Sequence, residues 1–333
     1  MAVKALRKIQ LGQETTAGTA VDATNIWRGN GVLTDEREIV AVEEDVGLLL
    51  PTDRSYIPKY GAVLEMEETP LTFEQAPYIF SASIENIVSG TQDGTQGSGY
   101  IYQYDFATNA ENVPKTYTLE MGDDQRVDEM EYSYVETFSI SGAGGEGMMI
   151  SATWRGRQAT DAEFTTGISL PTVEEALFGK TSVYIDTSGG TIGTTSKTGS
   201  IMAFNLEYNS GRQALYTADG NLYFSATKCT GQEVTGSITF EHDATGEAEL
   251  SAARSEAVRL IRFNTQGSEL TTAGTAYTYK TLKVDMAIQY TEVPPISDQD
   301  GNDTIELPFR VVWLASKSLG GQVIVVNELS ALI

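Results

Sequence analysis

Hydrophobic and polar positions alternate over long stretches of this chain. From Met130 to Ser141, Met130, Tyr132, Tyr134, Phe138 and Ile140 stand on even positions, with Glu131, Ser133, Thr137, Ser139 and Ser141 between them. A period of two marks a β-strand with one buried face. After a glycine-rich turn, Gly142 to Gly147, Met148, Ile150, Ala152 and Trp154 fall on one side and Met149, Ser151, Thr153 and Arg155 on the other. The two arms predict a long β-hairpin. Twelve residues at about 3.3 Å each give the first arm a reach of about 40 Å, which suits a large sheet or barrel wall. Its off-core face carries hydroxyls and few charges or aromatics, as a face lining a passage would.

The same code predicts further strands near Gly31 to Val42, Ala62 to Glu68, Tyr100 to Phe106, Thr116 to Met121, Met202 to Tyr208, through Tyr223, and near Ser237 to Glu241, Val258 to Phe263 and Gln322 to Val326. Leu282 to Tyr290 and Ile305 to Trp313 alternate strongly on either side of an acidic loop and predict a second long hairpin that also ends on a tryptophan. Helices fit three places. Pro70 to Ser83 has Thr72 and Gln75 at capping-box spacing, with Pro77 keeping the helix short or kinked. Pro171 to Lys180 begins with proline and acids and closes on glycine. Glu247 to Ser255 is the third. The stretch from Glu43 to Tyr60 breaks the pattern with Glu43-Glu44-Asp45, Leu48-Leu49-Leu50-Pro51 and Asp53-Arg54-Ser55-Tyr56, a loop long and apolar enough to be an interaction element.

Set side by side, the halves give one order twice: strand pair, short helix, strands, long hairpin, terminal tryptophan. Trp154 and Trp313 stand 159 residues apart and the helix starts near Thr72 and Glu247 stand 175 apart, a drift that differing loops produce. The expected fold is therefore mainly β, a tandem duplication of a β-barrel or sandwich domain with long hairpins and one short helix. Its parts are an N-terminal arm (1–25) ordered by partners, a first domain (26–170), a linker helix (171–180) and a second domain (181–333) whose apolar tail docks on something. Two similar units per chain imply that three chains could supply six equivalent positions around a ring.

Charge narrows the function. Acidic residues outnumber basic ones 46 to 22 in 333 residues, for a net charge of −24 spread along the chain. Tight binding to nucleic-acid phosphates needs clustered Lys and Arg, so that role is disfavoured. Cys229 is the one cysteine, which excludes an intrachain disulfide, and its expected place is a buried apolar position. No signal peptide and no membrane span is apparent. His242 is the one histidine, so a zinc constellation or a Ser-His-Asp relay has no support. The acidic run from Asp298 to Asp303 places its glycine wrongly for an EF-hand and reads as a hairpin turn. Neighbouring carboxylates such as Glu67-Glu68, Asp123-Asp124 and Glu174-Glu175 point to opposite faces of a strand and mark no glycosidase cleft. The glycine clusters lack the setting of a phosphate loop. No catalytic motif, metal or cofactor is expected.

Several stretches carry a resemblance. Gly12 to Ala20, the arms Phe138 to Gly142 and Ser151 to Gly156, Ser169-Leu170-Pro171-Thr172-Val173-Glu174-Glu175 and Phe240-Glu241-His242-Asp243 resemble the major tail tube proteins of tailed bacteriophages with long, non-contractile tails. The resemblance spans nearly the whole chain and implies tandem tail-tube domains, in homotrimeric rings with pseudo-hexameric symmetry stacked into a hollow tube through which DNA passes without specific binding. It further implies tape measure, tail terminator and tail tip proteins as partners, assembly in the host cytoplasm, and residence in the virion. In that setting Thr137, Ser139, Ser141, Ser151 and Thr153, with Lys283, Asp285 and Gln289 in the second half, become lumen candidates. Glu43, Glu44, Asp45, Leu49, Asp53, Arg54, Tyr56 and Tyr60 become candidates for contacts between rings, together with the N-terminal arm and the apolar tail. Few cations in a conduit leave DNA phosphates little to hold them. The competing readings are a carbohydrate-binding or adhesive β-sandwich, which needs an exposed aromatic cluster, and a glycoside hydrolase, which needs two convergent carboxylates.

Overall fold

A computed structural model describes residues 4–50, 52–299 and 301–332. Pro51, expected to stop the Leu48–Leu50 run, Asp300 of the acidic loop, Ile333 of the apolar tail and Met1–Val3 of the arm lie outside the described residues. The first half contains β1 (Lys8–Gln13), β2 (Asn25–Trp27), β3 (Gly31–Asp35), β4 (Val40–Glu43), β5 (Thr52–Tyr56), β6 (Ala62–Pro70), α1 (Ala76–Ser83), β7 (Thr91–Gln92), β8 (Tyr100–Asp105), β9 (Tyr117–Gly122), β10 (Val127–Ala143), β11 (Met149–Gly156) and β12 (Thr160–Ala162). The second contains β13 (Thr181–Thr187), β14 (Ile201–Asn209), β15 (Arg212–Leu215), β16 (Ala226–Cys229), β17 (Glu233–Glu241), α2 (Ala244–Arg254), β18 (Arg259–Glu269), β19 (Tyr279–Tyr290), β20 (Ser297–Gln299), β21 (Asn302–Val311) and β22 (Gly321–Asn327).

The protein is mainly β, as the alternation predicts, and its ladders are antiparallel. All strands but the hairpins β4–β5 and β15–β16 join one network curled into a closed body, although the ladder path that starts at β3 does not return to it. Two sets of ladders follow one order. In the first half β1, β9, β10, β11, β6 and β3 lie side by side. In the second, β13, β18, β19, β21, β17 and β14 do. Each half hangs a hairpin, β4–β5 or β15–β16, between its corresponding strands, and α1 follows β6 as α2 follows β17.

Hydrogen bonds fix which residues correspond. Tyr134 pairs with Arg155 as Gln289 pairs with Arg310. The Arg157 N–H donates to Glu131 O at 2.9 Å as the Val312 N–H donates to Ala287 O at 2.8 Å. Trp154, fully buried, therefore corresponds to the buried Phe309 and not to Trp313, which is 53% exposed. At the adjacent position Leu64 corresponds to Gly236, whose missing side chain makes room for the Phe309 ring.

Both halves share one hydrophobic core. It crosses the junction where Phe138 stacks on Tyr208 at 5.0 Å and Phe204 stacks on Phe178 and Phe263. The seven residue pairs of the β10–β14 ladder, Thr137–Asn209 to Ala143–Ala203, make the sheet continuous from one half to the other.

Four expectations are corrected. Residues 171–177 form no α-helix: the Leu71 carbonyl accepts from Ala176 and the Glu174 carbonyl from Phe73, so the segment adds extended backbone beside Thr72 and Gly147, followed by one 3-10 turn at Phe178–Lys180. Strand pairing there overrides local helix signals. The second hairpin is short, with only Ile288–Tyr290 paired to β21, because β19 spends its length between β18 and β22. The N-terminal arm is ordered within the chain, since β1 lies between β2 and β9 with Ile9, Gln10 and Leu11 buried. The apolar tail is equally internal: β22 pairs with β19 and β8, and Leu332 is buried.

The helices that do form differ in their starts. In α1 the proline falls in the first turn, where its missing N–H costs nothing. The α2 helix begins earlier than the alternation suggests because the Asp243 carboxylate caps it, accepting from Thr245 and Gly246 at 2.8 and 2.9 Å. His242 beside it contacts Glu247 at 3.2 Å, and Cys229 on β16 is half-buried rather than buried.

Candidate functional site

Strands β3, β6, β11, β10, β14, β17 and β21 form one sheet whose core face is apolar and whose other face is polar. On β10 and β11 the outer face presents Thr137, Ser139, Ser141, Ser151 and Thr153, as the alternation predicts, and the structure brings all five together. The Ser139 and Ser151 hydroxyls meet at 2.8 Å, and Ser141 donates to Glu68 at 3.0 Å. Across the β10–β14 ladder Thr137, Ser139 and Ser141 face Asn209, Glu207 and Asn205. A shallow trough of about 340 Å³ runs over this junction, and Glu233 and Thr235 of β17 extend its lining.

Carboxylates flank the hydroxyls on the same face, with Glu65 and Glu67 on β6, Glu207 and Glu233 beside the trough, and Glu306 on β21. Its cations lie towards one end and are engaged. Arg155 contacts Glu36 at 2.8 Å and Glu136 at 3.1 Å, and these carboxylates outweigh its partial burial in holding the guanidinium proton. Arg310 donates to Gln289 at 3.1 Å. The face can hydrogen-bond water and repel phosphate.

Of the second-half lumen candidates, Lys283 and Asp285 lie elsewhere and Gln289 lies at the far end of this sheet. Lys283 donates to the Tyr277 hydroxyl at 2.7 Å. The Asp285 side chain is buried, bidentate to Arg262 at 2.6 and 2.7 Å, with Gln322 at 3.2 Å. Gln289 bonds Glu256 O and Arg310. All three stand on β19: Lys283 and Asp285 lie where its neighbours are β18 and β22, outside the continuous sheet, whereas Gln289 pairs with Arg310 of β21 at the end of that sheet. The second-half positions that share a face with the Thr137 set are Asn205, Glu207 and Asn209 with Glu233, Thr235 and Ser237. Their signal was present in the polar residues that alternate with Phe204, Leu206 and Tyr208.

A second surface is the β4–β5 hairpin. It exposes Leu48, Leu49 and Leu50, Leu49 completely, with Tyr56 beside them. Arg54 holds Glu44 through two hydrogen bonds of 2.6 and 2.8 Å. Glu43, Asp45 and Asp53 add negative charge to the same exposed hairpin. Tyr60 does not belong with them: it folds back under the Arg37 guanidinium, and its N–H donates to Leu222 O.

The corresponding hairpin of the second half is seated on the first half. Phe224, beyond β15, is fully buried with its ring edge-on to Tyr132 and Tyr134 at 5.1 and 6.3 Å. Arg157 donates to Phe224 O at 3.1 Å and lies over the rings of Tyr132 and Tyr223. The Tyr216 hydroxyl donates to Tyr60 O at 2.9 Å. Tyr223 lies in a bend and not in the strand expected through it, and the cluster of Tyr216, Leu222, Tyr223 and Phe224 is the signal in the sequence that this loop is seated.

Among the described residues no helix is long and apolar enough to cross a membrane. Comparison with known proteins matches this chain to no family model and to no curated relative.

Proposed function

We propose that this chain is the structural subunit of a phage tail tube, self-assembling into stacked rings that form a hollow conduit for DNA. One observation carries the reading. A continuous sheet crosses both halves with an apolar face toward the core and a hydroxyl- and carboxylate-bearing face outward. Such a face hydrates well and gives passing phosphates few cations to displace counterions from, so DNA slides. The recurrence of one ladder order supports a tandem duplication, and three chains then supply six similar units to a ring.

The sheet has an edge on which the next chain can build. On β3 the alternate residues bond toward β6, as the Glu36 N–H to Gly61 O and the Glu67 N–H to Asn30 O hydrogen bonds require. The N–H groups of Leu33 and Asp35 then point away from β6, toward the side where β3 has no ladder among the described residues. An edge of this kind pairs with another chain unless blunted. The far end of the second half is not a copy of the β10 side, because Pro294 and Pro295 follow β19 and cannot donate. Joints between chains therefore differ in detail from the β10–β14 joint within one. On this reading the protein has no enzymatic activity, resides in the virion after assembly in the host cytoplasm, and meets tape measure, terminator and tip proteins along and at the ends of the tube.

Amide hydrogen exchange on dilute and on assembled protein tests the edge. The amides of Leu33 and Asp35 exchange freely in the dilute state and become protected on assembly. Unchanged exchange in assembled material would place the contact between chains elsewhere and remove this edge from the account.

A further inference from the structure

The seated hairpin of the second half shows where the exposed hairpin of the first half belongs. Within the chain, the loop beyond β15 covers the wall formed by Tyr132, Tyr134 and Arg157 at the end of β10 and β11. The matching wall of the second half lies at Gln289 and Val312, and among the described residues nothing covers it as Phe224 covers the first. Beside it a cleft of about 420 Å³ opens, lined by Val311, Val312 and the half-exposed Trp313 and by the polar Thr108, Asn109 and Gln232. The matching loop of the first half carries Leu48, Leu49 and Leu50 into solvent.

We infer that the β4–β5 hairpin docks into the Val312–Trp313 cleft of a second copy of this chain, side by side within one ring and not between rings. The inference rests on the reading that chains associate, and it replaces the stacking role expected for this loop. Its direction follows from the chain's own geometry: the second-half hairpin covers the wall of the half that precedes it, so by the same step the first-half hairpin covers the second half of its neighbour.

Charge agrees with this occupant. In the first half Arg155 has two carboxylate partners, Glu36 and Glu136. Its counterpart Arg310, exposed beside the cleft, meets Gln289 and no carboxylate among the described residues. The arriving hairpin brings Glu43, Asp45 and Asp53. Apolar burial supplies affinity, and the acidic hairpin opposite an unpaired arginine fixes orientation. A leucine tip entering a cleft walled by tryptophan has the anatomy of an anchoring contact.

The test is a disulfide between copies. Leu49→Cys and Trp313→Cys are combined with Cys229→Ser, oxidised, and read on non-reducing gels beside electron microscopy and sedimentation. Cross-linked chains in particles of ring mass, absent from either single-cysteine variant, are the expected result. Cross-links confined to stacked tubes would overturn the inference in favour of a contact between rings. Rings or tubes without cross-links would overturn it and leave the tube reading intact, whereas absence of any assembly by the unaltered protein would overturn both. Because both cysteine sites are solvent-exposed, a second variant carries little folding risk: Leu48→Ser with Leu49→Ser and Leu50→Ser should keep its thermal midpoint and lose association at least tenfold. Unchanged association would likewise overturn the inference.

Discussion

Replacing Phe224 by alanine probes the contact on which the comparison of the two halves depends. The ring is fully buried between Tyr132, Tyr134 and Tyr216, with centroids at 5.1, 6.3 and 6.3 Å, and Arg157 bonds its carbonyl. Truncating a buried phenylalanine costs about 3–5 kcal/mol through lost transfer energy and the cavity left behind. Edge-on aromatic contacts contribute about 0.5–1.5 kcal/mol of interaction beyond area. An unfolding entropy of roughly 2.1 cal/mol/K per residue, over 333 residues, converts that loss into a fall of about 4–7 °C in thermal midpoint. Calorimetry with matched urea melts measures it, and Phe224→Leu should recover part of the loss. A loss below about 1 kcal/mol would mean that the loop is not seated as described, and the placement of the first-half hairpin would fall with it.

Three further outcomes follow from other parts of the molecule. Gly236→Ala would set a Cβ 2.2 Å from Asn205 O and 2.6 Å from the Phe309 ring, costing about 1–3 kcal/mol in a urea melt, whereas Gly179→Ala, with open space around it, should leave the midpoint unchanged. The Glu129 carboxyl is held above the ordinary range by burial first and then by Glu120 and Glu131. A raised folded pKa contributes stability at acid pH that is lost as pH rises through it, so Glu129→Gln should stabilise at pH 7 and gain less at pH 4; equal gains in urea melts at both would refute the assignment. Ser139→Lys with Thr153→Lys would put cations on the polar sheet face, and assembled protein should then retain duplex DNA at about 50 mM salt and release it as salt rises; retention by the unaltered protein would contradict the proposed face.

What could be read in the sequence is what alternation encodes. The arms around Phe138 and Ile150 read correctly because one face is buried and the other wet, but a bulge between Val135 and Thr137 shifts the phase of the first arm, so Tyr134 stands opposite Arg155 and Val135 takes the core place beside Trp154. Alternation says nothing about partners. Leu282 to Tyr290 is a strand as expected, yet its neighbours over most of its length are β18 and β22, and for that reason Lys283 and Asp285 leave the shared face while Gln289 stays beside Arg310 of β21. Trp313 misled because residue type suggested an equivalence that hydrogen bonding assigns to Phe309. At Pro171 to Lys180 the local signals are those of a helix, but the backbone groups of Leu71 and Met148 offered ladder partners and won. The seat of Phe224 depends on Tyr132 and Tyr134 about 90 residues away in sequence, a long-range contact that no local pattern carries.

Negative-stain electron microscopy of concentrated protein beside the same sample kept dilute tests the central claim most directly. The account predicts rings of six similar units built from three chains, stacked into hollow tubes in the concentrated sample, and single chains or rings in the dilute one. A uniform population of single chains at every concentration, with saturable binding in a glycan screen, would contradict it and favour an adhesive β-protein.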